Sequence, residues 1–200
     1  MAKTIEFLFD FGSPNAYMAH HVLPGIEART GAKFEYVPVL LGGIFKATGN
    51  QSPVMAFGHI KNKIAYDMLE MRRFVEKHGL ARFNMNPHFP VNTLLLMRLA
   101  TAAKIDGVLP AYLAAAFPAM WEKGLKMDDP EIVRAELAAA GLDSEKLMAR
   151  AQEHDVKAAL MAETEHAVAR GAFGIPTFFV GEDMYFGKDR LRDVEEAIAA

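Results

Sequence analysis

The stretch Thr4-Ile5-Glu6-Phe7-Leu8-Phe9-Asp10-Phe11-Gly12-Ser13-Pro14-Asn15-Ala16 decides how the rest of the chain is read. Its first eight residues are rich in aromatic and β-branched side chains with partial alternation, which predicts a strand over 4–11 that Gly12 ends. Ser13-Pro14 then opens a helix. A serine side chain can accept a first-turn N–H, and proline at the first helical position lacks only an N–H that would be unpaired there anyway. The helix is expected to run to about Thr30, with Gly31 ending it. Lys33 to Leu40 alternates into a second strand, whose Pro38 marks an edge or an early end.

Beyond this βαβ start the period changes. Gly42 to Pro53 reads as a loop with glycines at both ends, and helical periods then run to about Arg170. Helices are expected at Lys61 to His78, Asn92 to Ile105 and Pro110 to Glu122, after Asp129-Pro130-Glu131, from near Ser144, and at Val156 to Arg170 with Asp155 as cap and Gly171 as stop. Ile175 to Val180 and Met184 to Phe186 return to strand around a Gly181-Glu182-Asp183 turn, and a last helix spans about Asp189 to Ala199. The order βαβ, helical block, ββα predicts an α/β fold: a thioredoxin-like domain over 1–45 and 171–200, interrupted by an all-α insertion over 46–170.

Composition narrows the chemistry. Two hundred residues sit at the top of the usual about 100–200 for a single domain, consistent with one fold carrying an insertion. With 22 Lys+Arg against 25 Asp+Glu the net charge is −3, so no basic field invites nucleic acid or anionic lipid. The opening residues lack an apolar leader, and the uncharged Val108 to Trp121 contains Pro110 and Pro118. A cytoplasmic protein without a membrane span is therefore expected. The count of zero cysteines rules out disulfides, thiolate metal sites and a cysteine nucleophile, so any thiol chemistry must use an imported thiol.

Four places could carry chemistry. Ser13 reads as an N-cap, and equally as a hydroxyl that could hydrogen-bond a thiolate beside the partial positive charge of a helix N-terminus. Ile175-Pro176 reads as a strand start, or as a loop whose backbone could receive an extended thiol-bearing peptide. Asp189 reads as a helix cap, or, with nearby backbone N–H groups, as the receiver of a ligand's amino-acid end, Phe186 and Gly187 shaping the approach. Lys46 and Asn50, with Lys63 beyond them, are a cation, an amide and a second cation following a strand's C-terminal end, where α/β folds place ligands. Glu163-x-x-His166 occurs once and reads as a solvated helix face, and His20-His21 lacks metal-ligand spacing.

Phe9-Asp10-Phe11-Gly12-Ser13-Pro14-Asn15-Ala16-Tyr17, Leu41 to Asn50, Gly174 to Val180 and Phe186 to Leu191 together resemble the 2-hydroxychromene-2-carboxylate isomerase family, which is close to the kappa-class glutathione transferases and uses a DsbA-type fold. The resemblance spans essentially the whole chain. It implies a homodimer that uses glutathione and an aromatic small-molecule substrate. It implies that Ser13 holds the glutathione sulfur, that Ile175 with Pro176 pairs with its cysteine backbone, and that Asp189 with Lys188, Phe186 and Gly187 takes the γ-glutamyl end. Lys46, Asn50 and Lys63 match the family's polar residues around glutathione and substrate. A kappa-like glutathione transferase or peroxidase, and a non-catalytic binding module on the same fold, are the alternatives.

Overall fold

A computed structural model describes residues 4–199. Strand β1 (Thr4–Phe9) is followed by helix α1 (Pro14–Thr30) and strand β2 (Lys33–Pro38). Eight helices come next: α2 (Leu41–Thr48), α3 (Pro53–Phe57), α4 (Lys61–Lys77), α5 (Leu94–Ile105), α6 (Leu109–Trp121), α7 (Pro130–Ala139), α8 (Ser144–Arg150) and α9 (His154–Ala169). The chain closes with β3 (Thr177–Val180), β4 (Asp183–Phe186), a 3-10 turn at Lys188–Arg190 and α10 (Leu191–Ala199). The sheet order is β2-β1-β3-β4, with β1 parallel to β2 and antiparallel to β3. The expected order βαβ, helices, ββα is what the chain forms.

Hydrophobic burial on both faces of β1 holds the sheet. Ile5, Phe7, Leu8 and Phe9 are all inaccessible to solvent or nearly so, as a central strand covered on two sides requires. Phe7 stacks on Phe178 of β3 at 5.2 Å and meets Tyr36 of β2 edge-on at 4.9 Å, so the strand pairings are reinforced by ring contacts. Phe11 joins the sheet to the helices: its ring lies 4.6 Å from that of Phe117 on α6, and its carbonyl accepts the Trp121 indole N–H at 2.8 Å.

Several expected boundaries move for identifiable reasons. Strand β1 stops at Phe9 because the Asp10 carboxylate turns back to accept the Gly12 N–H at 2.8 Å, a local side-chain bond that competes with the ladder. Residues 41–48 are helix, where the sequence suggested loop. Glycines at 42 and 43 weaken helical propensity by roughly 1 kcal/mol each. The tertiary setting overrides this: Asp10 Oδ2 accepts the Leu41 N–H at 2.7 Å, Ile44 is buried, and Gly43 lies so close to Thr164 of α9 that an added Cβ would stand 3.1 Å from its methyl carbon. The helical run between β2 and β3 thus begins at Leu41. Helix α9 starts at His154, preceded by Glu153, so Asp155 is a first-turn acid paired with Arg150 at 3.0 Å and not the cap. Asp189 does not cap α10 either; its carboxylate is bound to Lys188.

A half-buried imidazole pair on α1 has a pH consequence. His20 of α1 stacks on Phe117 at 4.8 Å, and its Nδ1 lies 2.6 Å from the Tyr36 hydroxyl. Burial, with the neighbouring His21, lowers the His20 pKa to about 4. The unfolded chain, titrating near 6.5, therefore binds a proton that the folded chain refuses between those values. Stability present above about pH 6.5 is lost as pH falls toward 4, by about 3 kcal/mol for this group. Urea denaturation at pH 7 and pH 4 should show the loss shrinking by about that amount in His20→Phe. An equal loss in both proteins contradicts the assignment.

Candidate functional site

Ser13 occupies the β1–α1 junction as the sequence predicts. It is the N-cap of α1, with φ −101° and ψ 112°, and its Oγ accepts the Ala16 N–H at 3.2 Å. The same hydroxyl donates to the Ile175 carbonyl at 3.0 Å, across 162 residues. Ser13 therefore does both jobs its residue type allows, since a hydroxyl can donate once and still accept. It is almost entirely buried at 5% exposure.

The segment opposite Ser13 is held from three sides. The Ile175-Pro176 peptide is cis. Thr177 Oγ1 donates to the Gly174 carbonyl at 2.8 Å, and the Gly187 N–H donates to the Pro176 carbonyl at 2.9 Å. The Phe186 ring lies so close to Gly174 that a Cβ there would come within 2.8 Å of it, so glycine there is a requirement of close approach. Asn50, just after α2, donates from Nδ2 to the Phe173 carbonyl at 2.7 Å. The structure thus gathers Ser13, Ile175, Pro176, Phe186, Gly187 and Asn50 into one locality.

Lys188 and Asp189 follow directly. Lys188 is buried to 5%, its Nζ 2.6 Å from Asp189 Oδ1 and 4.8 Å above the Phe74 ring of α4. The Asp189 side chain is 70% exposed, so a buried cation backs an anion that faces solvent. Lys188 also contributes, after burial and Lys77, to lowering the pKa of His78 at the end of α4.

Lys63 is paired with Asp67 one turn along α4, at 2.8 Å, and lies 4.9 Å above the Phe57 ring. Lys46 is exposed on α2. Among the described residues no recorded contact joins either to Ser13, Ile175 or Asp189. A groove of about 470 Å³ elsewhere, between α1, β2 and α6, is lined by His20, Tyr36, Lys104 and Leu113, and contains none of the site residues. No cluster of three or more metal-ligating side chains occurs among the described residues, and no described helix is long and apolar enough to cross a membrane.

Residue-by-residue reasoning passed over Asp10. Its side chain is fully buried three positions before Ser13, and its backbone carbonyl accepts the Ser13 N–H at 3.1 Å. The carboxylate accepts from Gly12 N, Leu41 N and the Thr93 side chain, yet burial outweighs these bonds and pushes its pKa up. The available signal was an acid set between Phe9 and Phe11 in an otherwise apolar run.

The chain is 29% identical over 197 residues to the 2-hydroxychromene-2-carboxylate isomerase of Sphingobium xenophagum, covering 98% of this chain and 97% of that relative. It is 25% identical to glutathione S-transferase kappa 1 of Rattus norvegicus, over 94% of this chain and 88% of the relative. A solved structure of 2-hydroxychromene-2-carboxylate isomerase superposes with a TM-score of 0.81 at 25% identity, over 98% of this chain and 94% of that one. The resemblance carried by the four motifs therefore extends along nearly the whole length. A family model described as a DSBA-like thioredoxin domain matches residues 4–199, and with the sheet, the helical block and Ser13 placed as above, the chain belongs to the DSBA-like thioredoxin domain family.

Proposed function

We propose that this chain is a glutathione-dependent isomerase of 2-hydroxychromene-2-carboxylate or a related intermediate of aromatic catabolism, working in the cytoplasm as a homodimer. We read it as a thioredoxin-like unit over 1–45 and 171–200 with the helical residues 46–170 as its substrate-side insertion. The observation that carries the reading is Ser13: a buried hydroxyl at a helix N-terminus, bonded to the Ile175 carbonyl, in a chain without cysteine. The kappa-class relatives, glutathione transferases by name, support glutathione as the imported thiol.

The residues present fit that tripeptide. Ser13 would hold the sulfur, and Ile175 and Pro176 the extended backbone. Asp189, exposed and fixed on one oxygen by Lys188, would accept the α-ammonium, with Phe186 and Gly187 shaping the approach. Asn50 and Lys63 would serve glutathione, and Lys46 with Asn50 the substrate. When bound, glutathione supplies a thiolate that adds reversibly to an electron-poor carbon of the substrate's conjugated double bond, so that rotation can occur before the thiolate leaves.

The chain's own part is to make the thiolate available. A free thiol has a pKa near 8.5, and the first-turn dipole of α1 together with a hydroxyl donor favours the ionised form, each unit of depression being about 1.4 kcal/mol. The Ser13 proton, directed at the Ile175 carbonyl here, would turn to the sulfur and exchange a neutral hydrogen bond for a charge-assisted one.

Turnover with limiting glutathione tests the reading. An isomerase completes many cycles per glutathione and leaves the thiol titre unchanged. Loss of one thiol per product would instead make the chain a transferase, the reading favoured by its kappa-class relatives. Calorimetry showing no glutathione binding would leave only a non-catalytic module.

A further inference from the structure

The segment entering β3 is buried on both sides of one residue. Ala172 is 1% exposed, Gly174 is buried and Ile175 is 6% exposed, yet Phe173 between them turns outward with 39% of its surface in solvent. Its ring centroid is 4.5 Å from that of Phe186, itself 41% exposed. An exposed aromatic pair is held in the open here.

The pair is also rigid. The Phe173 carbonyl is fixed by Asn50 Nδ2, the Phe186 ring rests on Gly174, and the residue after Phe186 donates to the Pro176 carbonyl. Phe186 further pairs in register with Thr177 of β3. Two residues beyond Phe173 lies Ile175, whose carbonyl receives the Ser13 hydroxyl. A fixed apolar surface thus adjoins the proposed reacting centre. Aromatic faces so presented favour offset or edge-on contact with another ring, and little ordering remains to be done on binding, which is what makes a preformed surface effective.

We propose that the Phe173–Phe186 pair is the stacking platform for the planar aromatic part of the substrate, and that Phe173 is a specificity-determining residue selecting aryl over non-aryl acids. This rests on reading the Ser13 locality as the reacting centre. Asn50 then has a second role, since its amide sets the angle of the platform.

Calorimetry with 1-naphthoate, a planar aromatic acid without an electrophilic carbon, and with cyclohexanecarboxylate tests this directly, each measured with and without glutathione. In Phe173→Ala and Phe173→Leu, naphthoate should bind five- to fiftyfold more weakly while cyclohexanecarboxylate changes less than twofold. Phe173→Tyr should restore naphthoate binding, and the affinity for glutathione should stay within twofold throughout. Because Phe173 is half exposed, thermal unfolding should show all three variants folded. Naphthoate binding that is absent in the wild type, or unchanged in both truncated variants, overturns the platform. Phe173-dependent naphthoate binding in a protein that does not bind glutathione would keep the platform and defeat the isomerase reading instead.

Discussion

Asp10→Asn is expected to lower the unfolding free energy by about 2–4 kcal/mol and Asp10→Ala by more. The reason is a count of donors. The carboxylate offers two oxygens, one to Gly12 N and one to Leu41 N, with the Thr93 hydroxyl as a third donor. An amide of the same shape keeps one oxygen and turns an NH₂ toward the other N–H, and alanine serves neither. Each buried donor left without a partner costs about 1–3 kcal/mol. The opposing effect, relief from burying a charge, is real because burial raises the Asp10 pKa. It is smaller here because two backbone N–H groups would lose the acceptor that this side chain supplies. Against a typical total of about 5–15 kcal/mol the loss is large, and at about 2–4 °C per kcal/mol for a chain of this size it is easily seen by thermal unfolding.

The pH dependence separates this account from simple cavity formation. A carboxyl whose folded pKa lies above its unfolded value of 3.8 binds its proton more readily in the folded chain. Wild-type stability therefore gains from this group as pH falls through the folded pKa toward 3.8, and the variants lack that gain. The difference between wild type and Asp10→Asn, taken from urea midpoints across that range, should widen on acidification. A gap that narrows would show that Asp10 is stabilised as the anion.

Asp10 also shows where reading the chain succeeds and where it stops. The strand, the Gly12 stop, the Ser13-Pro14 helix start and Gly31 with φ +71° were legible because each is decided within a few residues. Helix α2 was not, because its first N–H is capped from a residue 31 positions away and Gly43 leaves the room that the Thr164 methyl occupies. Lys63 is a site cation by type and position, and the carboxylate it pairs with in the free chain, four residues along the same helix, was legible from spacing as well. Asn50 was found through the motif, and its contact with Phe173 could not be, since no local pattern links residues 123 positions apart. What the sequence showed poorly is what tertiary contact decides.

Ser13→Ala should separate the two jobs the structure gives that hydroxyl. Losing the cap to Ala16 N costs about 0.5–2 kcal/mol, and losing the donor to the Ile175 carbonyl adds about 0.5–1.5 kcal/mol. The fold should therefore survive, with a lowered unfolding midpoint. On the proposed function, isomerase turnover should fall much further, by about 10²–10³, the usual consequence of removing one donor aimed at developing or transferred charge. Ser13→Thr keeps a hydroxyl and an acceptable cap, so it should recover most of the stability and part of the rate. The decisive measurement is the pKa of glutathione's thiol on the protein, followed by thiolate absorbance against pH. It should rise toward the free value near 8.5 in Ser13→Ala. If the variant loses stability while its rate and the bound thiol's pKa are unchanged, Ser13 is a helix cap alone, and the thiolate is held by the N-terminus of α1 without it.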